Sequence, residues 1–598
     1  MANSMGSLWV GASGLQNSQN AMNITANNLT NVDTTGYVRQ QVLFADKTYI
    51  ASGVSAAISK QTNGLGVSIS DVLHTRDVFL DQSYRQEVGR YEFYSASYDA
   101  TTEIEDILQE LDGESFQNIL SSDDESLWVA FQELAKDPSS SVNQNLVLQK
   151  ASLFITRAQA VYESINTYQT QLNDQIEDAV DKINELGNTI YELNIQIQKI
   201  EAGGVETASS LRDERDLALD ELAELCNISY KETTQGIVKV SIEGVEFINE
   251  AMVYEMDVEY DKSTGFATPI WPQLGQDSDG NNYEVFDLEA EISSAYNSDI
   301  GKLKGILLAR GDSVADYRDM YDLVNTTAEY FSELTEDDYK TESEYDELTG
   351  ASVCLNTQAE FDTLIHSIVT TINDLLSPLT TANDAGLTTG TIVTDADGNS
   401  YTITDSTRVL DTDNCCVGSD GELPPQELFT RTGCDRYTEV TDSSGNTYYL
   451  YNEEDLTDTS MMYTIKSLSI NETIQQDSSM LPHLEQNGEV SYELGEALSS
   501  MWESADLQLN PTIGGTWTFA EYYEQMVGEL GTNGNVFKTT VENLESTTEA
   551  LTTSRSSVLG VSSDEELTKM IKYQNAYNAA SRYINVISEM IEHIVTNL

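Results

Sequence analysis

The first 32 residues of the chain contain no charged side chain; the first charge is Asp33. Proline is missing from both ends, since all eight lie between Pro138 and Pro511. Both flanks therefore lack the strongest helix breaker. Cysteine is scarce: Cys226, Cys354, Cys415, Cys416 and Cys434 form no CxxC pair and are odd in number. That excludes a disulfide framework and a recognisable zinc site. No run of 18 apolar residues occurs, so no helix is expected to span a bilayer. The start has neither a basic nor an apolar signal region, so no Sec signal peptide is expected. Cationic residues are few, 30 Lys and Arg against 100 Asp and Glu, a net charge of −70. Such a chain repels phosphate backbones and anionic lipid surfaces, which excludes nucleic acid and membrane as expected partners.

What is present is enough for several folded domains. The 598 residues allow about three to five. A hydrophobic share of 39% with 31 Tyr rules out disorder throughout. Residues 1–45 carry only Asp33 and Arg39, and residues 558–598 carry a net −2, leaving −68 on 46–557. Nearly neutral ends on an acidic body predict that the ends pack in a crowded assembly while the middle faces water.

Both ends show helical periodicity. Met570, Tyr573, Tyr577, Ala580, Ile584, Ile587, Ile591, Ile594 and Leu598 alternate three and four apart, the pattern of a coiled-coil seam or of an amphipathic helix on a core. Met5, Leu8, Ala12, Leu15, Gln19, Met22, Ala26 and Leu29 repeat that frame, with a face of Asn17, Asn20, Asn23, Asn27, Asn28 and Asn31 beside it. An uncharged amide face suits contact with neighbouring copies, where a buried charge is costly. Gly6, Gly11, Gly14 and the many Asn weaken the first helix, so the ends are expected to gain their order on assembly.

Between the ends, 86–136 and 142–200 read as long helices, the second with a seam from Ile176 through Ala179, Ile183, Leu186, Ile190, Leu193 and Ile197 to Ile200. Gly203-Gly204 then predicts a turn. Strand-like text follows at 236–244, helix returns near 301–378 around an acidic surface loop at 336–347, and 386–462 is rich in strands and turns. Three near-repeats begin at Asp277, Asp395 and Asp442. A calcium loop starting at Asp395 needs Gly and Glu where Ser400 and Ser406 stand, so hairpin turns are expected instead. His74, His366, His483 and His593 complete no HExxH motif, and GxSxG and GxxxxGK[ST] are absent. No enzyme activity, metal or cofactor is expected.

Asn28-Leu29-Thr30-Asn31-Val32-Asp33-Thr34-Thr35-Gly36-Tyr37-Val38-Arg39-Gln40 resembles the N-terminal signature of the flagellar axial proteins (rod, hook and hook-associated), roughly N-I-A-N-x-x-T-P-G-Y-x-R-Q. It departs at Thr30 and Thr35. Ser554 to Glu566, with Gly560 and Glu565, followed by Gln574 and Tyr577, resembles their C-terminal signature. Gly64-Leu65-Gly66-Val67 with Arg76 to Leu80, Trp128 to Pro138, and Leu211-Arg212-Asp213-Glu214-Arg215-Asp216 are similar to internal stretches of the hook-associated members.

The resemblance implies a structural subunit where the hook meets the filament. The expected fold is α+β, predominantly α: a discontinuous multidomain rod with a coiled-coil core of terminal helices, a long helical bundle and inserted β-rich outer domains. Residues 1–45 with 558–598 would form the core. Residues 46–232, 298–385 and 463–557 would form the bundle, and 233–297 and 386–462 the insertions. Met5, Leu8, Leu15, Met22, Leu29, Met570, Tyr573, Tyr577, Ile584, Ile587, Ile591, Ile594 and Leu598 are the expected assembly contacts. Implied partners are the hook protein, hook-associated protein 3 as second junction protein, copies of this chain in a ring, the flagellar type III export apparatus and an export chaperone. Such export needs a reduced, unfolded chain, which favours free thiols over a bridge from Cys415 or Cys416 to Cys434. The alternatives are another axial component, a hook protein or flagellin, or a secreted adhesin acting through 386–462.

Overall fold

The computed structural model describes residues 2–34, 36–47, 50–51, 62–63, 66–74, 76–109, 116–120, 126–203, 207–278, 280–326, 328–347, 349–504 and 506–596. Of the residues singled out above, Thr35, Gly64, Leu65, Gly204 and Leu598 lie outside these, as do the side chains of Met5 and His74.

The helices are α1 (Ala2–Thr30), α2 (Val78–Gln109), α3 (Gln117–Leu120), α4 (Leu127–Lys136), α5 (Ser141–Glu201), α6 (Ser209–Leu225), α7 (Lys302–Arg310), α8 (Glu342–Glu347), α9 (Val353–Leu376), α10 (Glu472–Gln476), α11 (Tyr492–Ser500), α12 (Phe519–Leu559) and α13 (Ser563–Thr596). The 61 residues of α5 make a rod of about 90 Å. Its seam from Ile176 to Ile197 is buried, while Ile200 at its end is 41% exposed. The segment 86–136 is not one helix. α2 stops at Gln109, and α4 starts afresh at Ser126, whose side chain accepts from the Val129 N–H. The intervening sequence holds Asp112-Gly113 and Ser121 to Asp124, residue types that favour turns over helix.

α12 lies along α2, with Phe537, Val541, Leu544, Leu551 and Val558 half-buried between them. At the centre of the body, α9 is packed almost all round: Phe361, Leu364, Ile365, Ile368, Val369, Ile372 and Leu376 are fully buried. The acidic stretch at 336–347 is more than a surface loop. Glu342–Glu347 is helical and inserts Tyr345, whose hydroxyl donates to Asn356 Oδ1 at 2.7 Å. One aromatic anchor outweighs the local charge.

The strands are β1 (Gln40–Asp46), β2 (Ile50–Ala51), β3 (Thr62–Asn63), β4 (Val67–His74), β5 (Ile228–Glu232), β6 (Val238–Ile242), β7 (Val245–Ile248), β8 (Asp257–Tyr260), β9 (Ala267–Ile270), β10 (Leu379–Thr381), β11 (Ile392–Asp395), β12 (Ser400–Thr402), β13 (Arg408–Leu410), β14 (Phe429–Arg431), β15 (Tyr437–Thr441), β16 (Thr447–Tyr451) and β17 (Leu468–Ile470). β1 and β4 pair antiparallel beside α1. In β5–β6–β7, Val238, Val240 and Ile242 point alternately into the core. The Asn194 side chain of α5 holds both the N–H and the C=O of Val238. A six-stranded sheet in the order β10-β13-β16-β15-β11-β12 encloses its own small core of Leu387, Val393, Ile403, Val409, Val440 and Leu450.

The repeats at Asp395 and Asp442 are the turns of hairpins β11/β12 and β15/β16. Each Asp accepts from the backbone and side chain of the Asn four residues on. Each turn has a glycine at positive φ, Gly398 and Gly445. These bonds hold both carboxylates below their ordinary range. All five cysteines are free thiols.

The α5 seam yields a paired test, because Ile190 and Ile200 occupy equivalent sequence positions but differ in burial. Ile190→Ala should cost about 2–5 kcal/mol in chemical denaturation. Ile200→Ala should stay within about 0.5 kcal/mol of the natural chain.

Candidate assembly interface

The two nearly neutral ends meet. α1 lies along α13 for most of its length. On α13, Met570, Tyr573, Tyr577, Ala580, Ile584, Ile587 and Ile591 face α1 and are half-buried, following the expected frame. Ile594 lies beyond it, mostly exposed.

On α1 the frame differs by one residue from the expected one. Gly11, Ser18, Ala21, Thr25 and Asn28 are buried, with Gly14 between them, whereas Ala12 and Gln19 are exposed. Leu8, Leu15, Met22 and Leu29 flank the contact and are half-buried. The reason is steric. The large side chains of α13 need a shallow partner, and the small row supplies it. A Cβ on Gly11 would stand 2.7 Å from Ile584 Cγ1, and one on Gly14 would lie 3.7 Å from the Ala580 Cβ. A hydrophobicity count picks the Leu and Met row; close approach of two backbones picks the Gly, Ser and Ala row.

The signature residues close the lower end of this pair. The Asn28 side chain uses its full capacity: Nδ2 donates to the Gln40 carbonyl at 2.9 Å and to Glu566 Oε2 at 3.1 Å. Its Oδ1 accepts from the Tyr37 hydroxyl at 2.8 Å and from the Gln40 N–H at 3.1 Å. Glu566 is buried, and Lys569 pairs with its other oxygen at 2.6 Å. Burial, with Asp213 and Glu566 nearby, pushes the Tyr37 phenol up to about 12, so it stays a donor at any physiological pH. Arg39 crosses to the C-terminal segment twice, by its N–H to the Leu559 carbonyl at the end of α12 at 3.0 Å and by its guanidinium to Glu565 of α13 at 3.2 Å.

Asn31 accepts from Thr34 and donates to Asn27, shaping the turn. Gly36 stands at φ +76°, a conformation that disfavours a side chain. Gly560 is needed for another reason, since a Cβ there would lie 2.3 Å from the Ser556 carbonyl oxygen. Gln574 is exposed and, with Met22, Met570 and Tyr577, lines a shallow groove of 390 Å³ along the pair.

Every charged residue of the stretch Leu211 to Asp216 except Glu214 joins this region to the body. Asp213 accepts from the Val38 N–H. Arg212 pairs with Glu201 and Glu232, and Arg215 holds Asn194 and the Gly236 carbonyl. Asp216 receives both Arg76 and Arg85. A cluster that the sequence reading did not single out completes the joint. Arg555 of α12 pairs with Asp81 of α2 at 2.8 Å and with Asp220 of α6 at 2.7 Å, and Arg85 pairs with Asp220 at 2.6 Å. Tyr84 lies over Arg555 and Tyr230 over Arg85. The only sequence signal was the position of Arg555 and Arg76 inside signature stretches.

The outward faces of the pair carry large apolar side chains that none of the described residues covers. Trp9 of α1, with Leu567, Ile571, Tyr583, Val586, Met590 and Val595 of α13, is 41–69% exposed. Exposed large apolar side chains in this number mark a surface for protein contact rather than for water.

Residues 8–37 match the family described as flagella basal body rod protein, and residues 555–597 the flagellar basal body rod FlgEFG protein C-terminal. Residues 101–347 match the flagellar hook-associated protein FlgK helical domain. Flagellar hook-associated protein 1 of Bacillus subtilis (strain 168) is 23% identical over 97% of this chain and 96% of its own length. The protein of that name in Escherichia coli (strain K12) is 20% identical over 98% of each. The solved flagellar hook junction protein FlgK from Burkholderia pseudomallei aligns with 80% of this chain and 100% of its own, at 12% identity and a TM-score of 0.45.

The two terminal signatures, joined through Asn28, Arg39 and Glu566, place the chain among the flagellar axial proteins. Within that class, its helical domain matches the flagellar hook-associated protein FlgK model, and its near full-length relatives are flagellar hook-associated protein 1.

The shifted frame can be checked directly. Ala21→Leu should overpack the pair at a cost of about 1–3 kcal/mol. Gln19→Leu should leave it unchanged, although Gln19 stood in the frame expected from sequence. Crosslinking between cysteines placed at Gly14 and Ala580 reports the pairing.

Proposed function

We propose that this chain is a structural subunit of the flagellum that joins hook to filament, and that it assembles through the outward faces of α1 and α13. One observation carries the reading: on a chain of net charge −70, a paired, nearly neutral helical end displays Trp9, Ile571, Val586 and Met590 to its surroundings. Like-charged bodies repel, so copies can pack closely only where the charge is missing. A heterologous contact of this kind, repeated, closes into a ring or continues as a helix. Ring neighbours would be copies of this chain, with the hook protein below and the second junction protein, hook-associated protein 3, above.

In this reading 1–45 with 558–598 form the core, 46–232, 298–385 and 463–557 the helical body, and 233–297 and 386–462 the outer insertions. The pair α1–α13 buries mostly small side chains, so neighbours supply much of its burial and its order is completed on assembly. Export is by the flagellar type III route with an export chaperone and without cleavage. The role is mechanical, and no catalytic step is assigned. A hook protein, a flagellin or an adhesin acting through 386–462 is less well supported, because near full-length likeness runs to hook-associated protein 1.

Val586→Asp and Met590→Asp place a charge on the outward face without touching the α1 contact. Both variants should melt like the natural monomer, and cells carrying either should have hooks and no filaments. Normal filament growth from either variant would remove the outward face as the assembly contact.

A further inference from the structure

α9 carries Glu360 into the interior, where it is 1% exposed. Its Oε1 accepts from Asn510 Nδ2 at 2.6 Å, and the same nitrogen donates to Glu529 Oε2 of α12 at 3.0 Å. Two carboxyl groups from different helices therefore meet across one amide nitrogen. The groups facing them are Asn356 of α9, Tyr522 of α12, and Tyr345 and Asp346 from α8. None is a cation. Tyr522 fixes the place further, its hydroxyl donating to the Glu360 carbonyl at 3.0 Å and to the Leu509 carbonyl at 3.1 Å. With Glu360 buried and Glu529 half-buried beside it, ionising both carboxyls without a cation between them is strongly disfavoured. One proton held between Glu360 and Glu529 satisfies the pair.

We propose that Glu360, Glu529 and Asn510 form a proton-held latch that seats the start of α12 on α9, closed while the carboxyl pair keeps a proton and released at alkaline pH. The latch is independent of the assembly surface, which lies at the other end of α12. Burial first, and then the charge of Glu529, pushes the Glu360 carboxyl well above its ordinary range; burial likewise raises Glu529. The raised value fixes the sign. The closed state binds the proton more tightly than the open state. Below the ordinary glutamate range both states hold it, and the latch has its full strength. As pH climbs from there to the elevated value, the closed-to-open ratio falls by about tenfold per pH unit, and it levels off above that value.

The test uses the full chain with Glu360→Gln and Glu529→Gln. Either glutamine can donate to the remaining carboxylate and so imitates the protonated partner without titrating. Hydrogen exchange of 506–530, corrected for its intrinsic pH dependence, is followed from about pH 5 to about pH 9, alongside thermal melts. In the natural chain, opening of this segment should rise with pH. In both variants it should stay flat, and their melting temperatures should overtake that of the natural chain as pH rises. Parallel pH profiles in the natural chain and the variants would overturn the latch. So would failure of both variants to fold at any pH, since a protonated pair and its glutamine mimic should be equally well seated.

Discussion

The structure depends on one closure, the bond between Asn28 at the end of the first helix and Glu566 at the start of the last. These residues are 538 positions apart, and everything between them hangs from that joint as one long loop. Closing so long a loop is entropically costly, although the cost grows only slowly with length. The contact is therefore reinforced by every polar group within reach. Asn28 makes four hydrogen bonds, Arg39 makes two crossings, and Lys569 neutralises the buried Glu566. Leaving any of these groups unpaired would cost more than the pairing gains, which makes the joint all-or-none.

The joint would be loose if the body were not tied to it. Arg76, Arg85 and Arg555 alternate with Asp81, Asp216 and Asp220 where α2, α6 and α12 converge. Three positive and three negative side chains, mostly buried, satisfy one another in a geometry that lone ion pairs on a surface could not hold. An acidic chain with few cations concentrates them here.

The alternation of small and large side chains along α1 and α13 serves the same purpose. Small residues on one helix let the backbones approach, and the large residues of the other fill the space between them. The bulky side chains left over, from Trp9 to Val595, then face outward, where one copy on its own cannot cover them.

The sequence by itself determined the helical ends, the α5 seam, the hairpin turns at Asp395 and Asp442, and the two signatures. Each of these is local: a 3.6-residue repeat, an Asx turn or a glycine at a tight approach is written in neighbouring residues. The tertiary structure decided which face of α1 meets α13, because that choice turns on how closely two backbones can come, and hydrophobicity alone selects the wrong row by one position. It also decided that Tyr345 draws an acidic stretch into a helix and that Arg555, Asp81 and Asp220 meet. The Arg555 pairs join residues 335 and 474 positions apart, and long-range packing and charge pairing leave no periodic trace in the sequence.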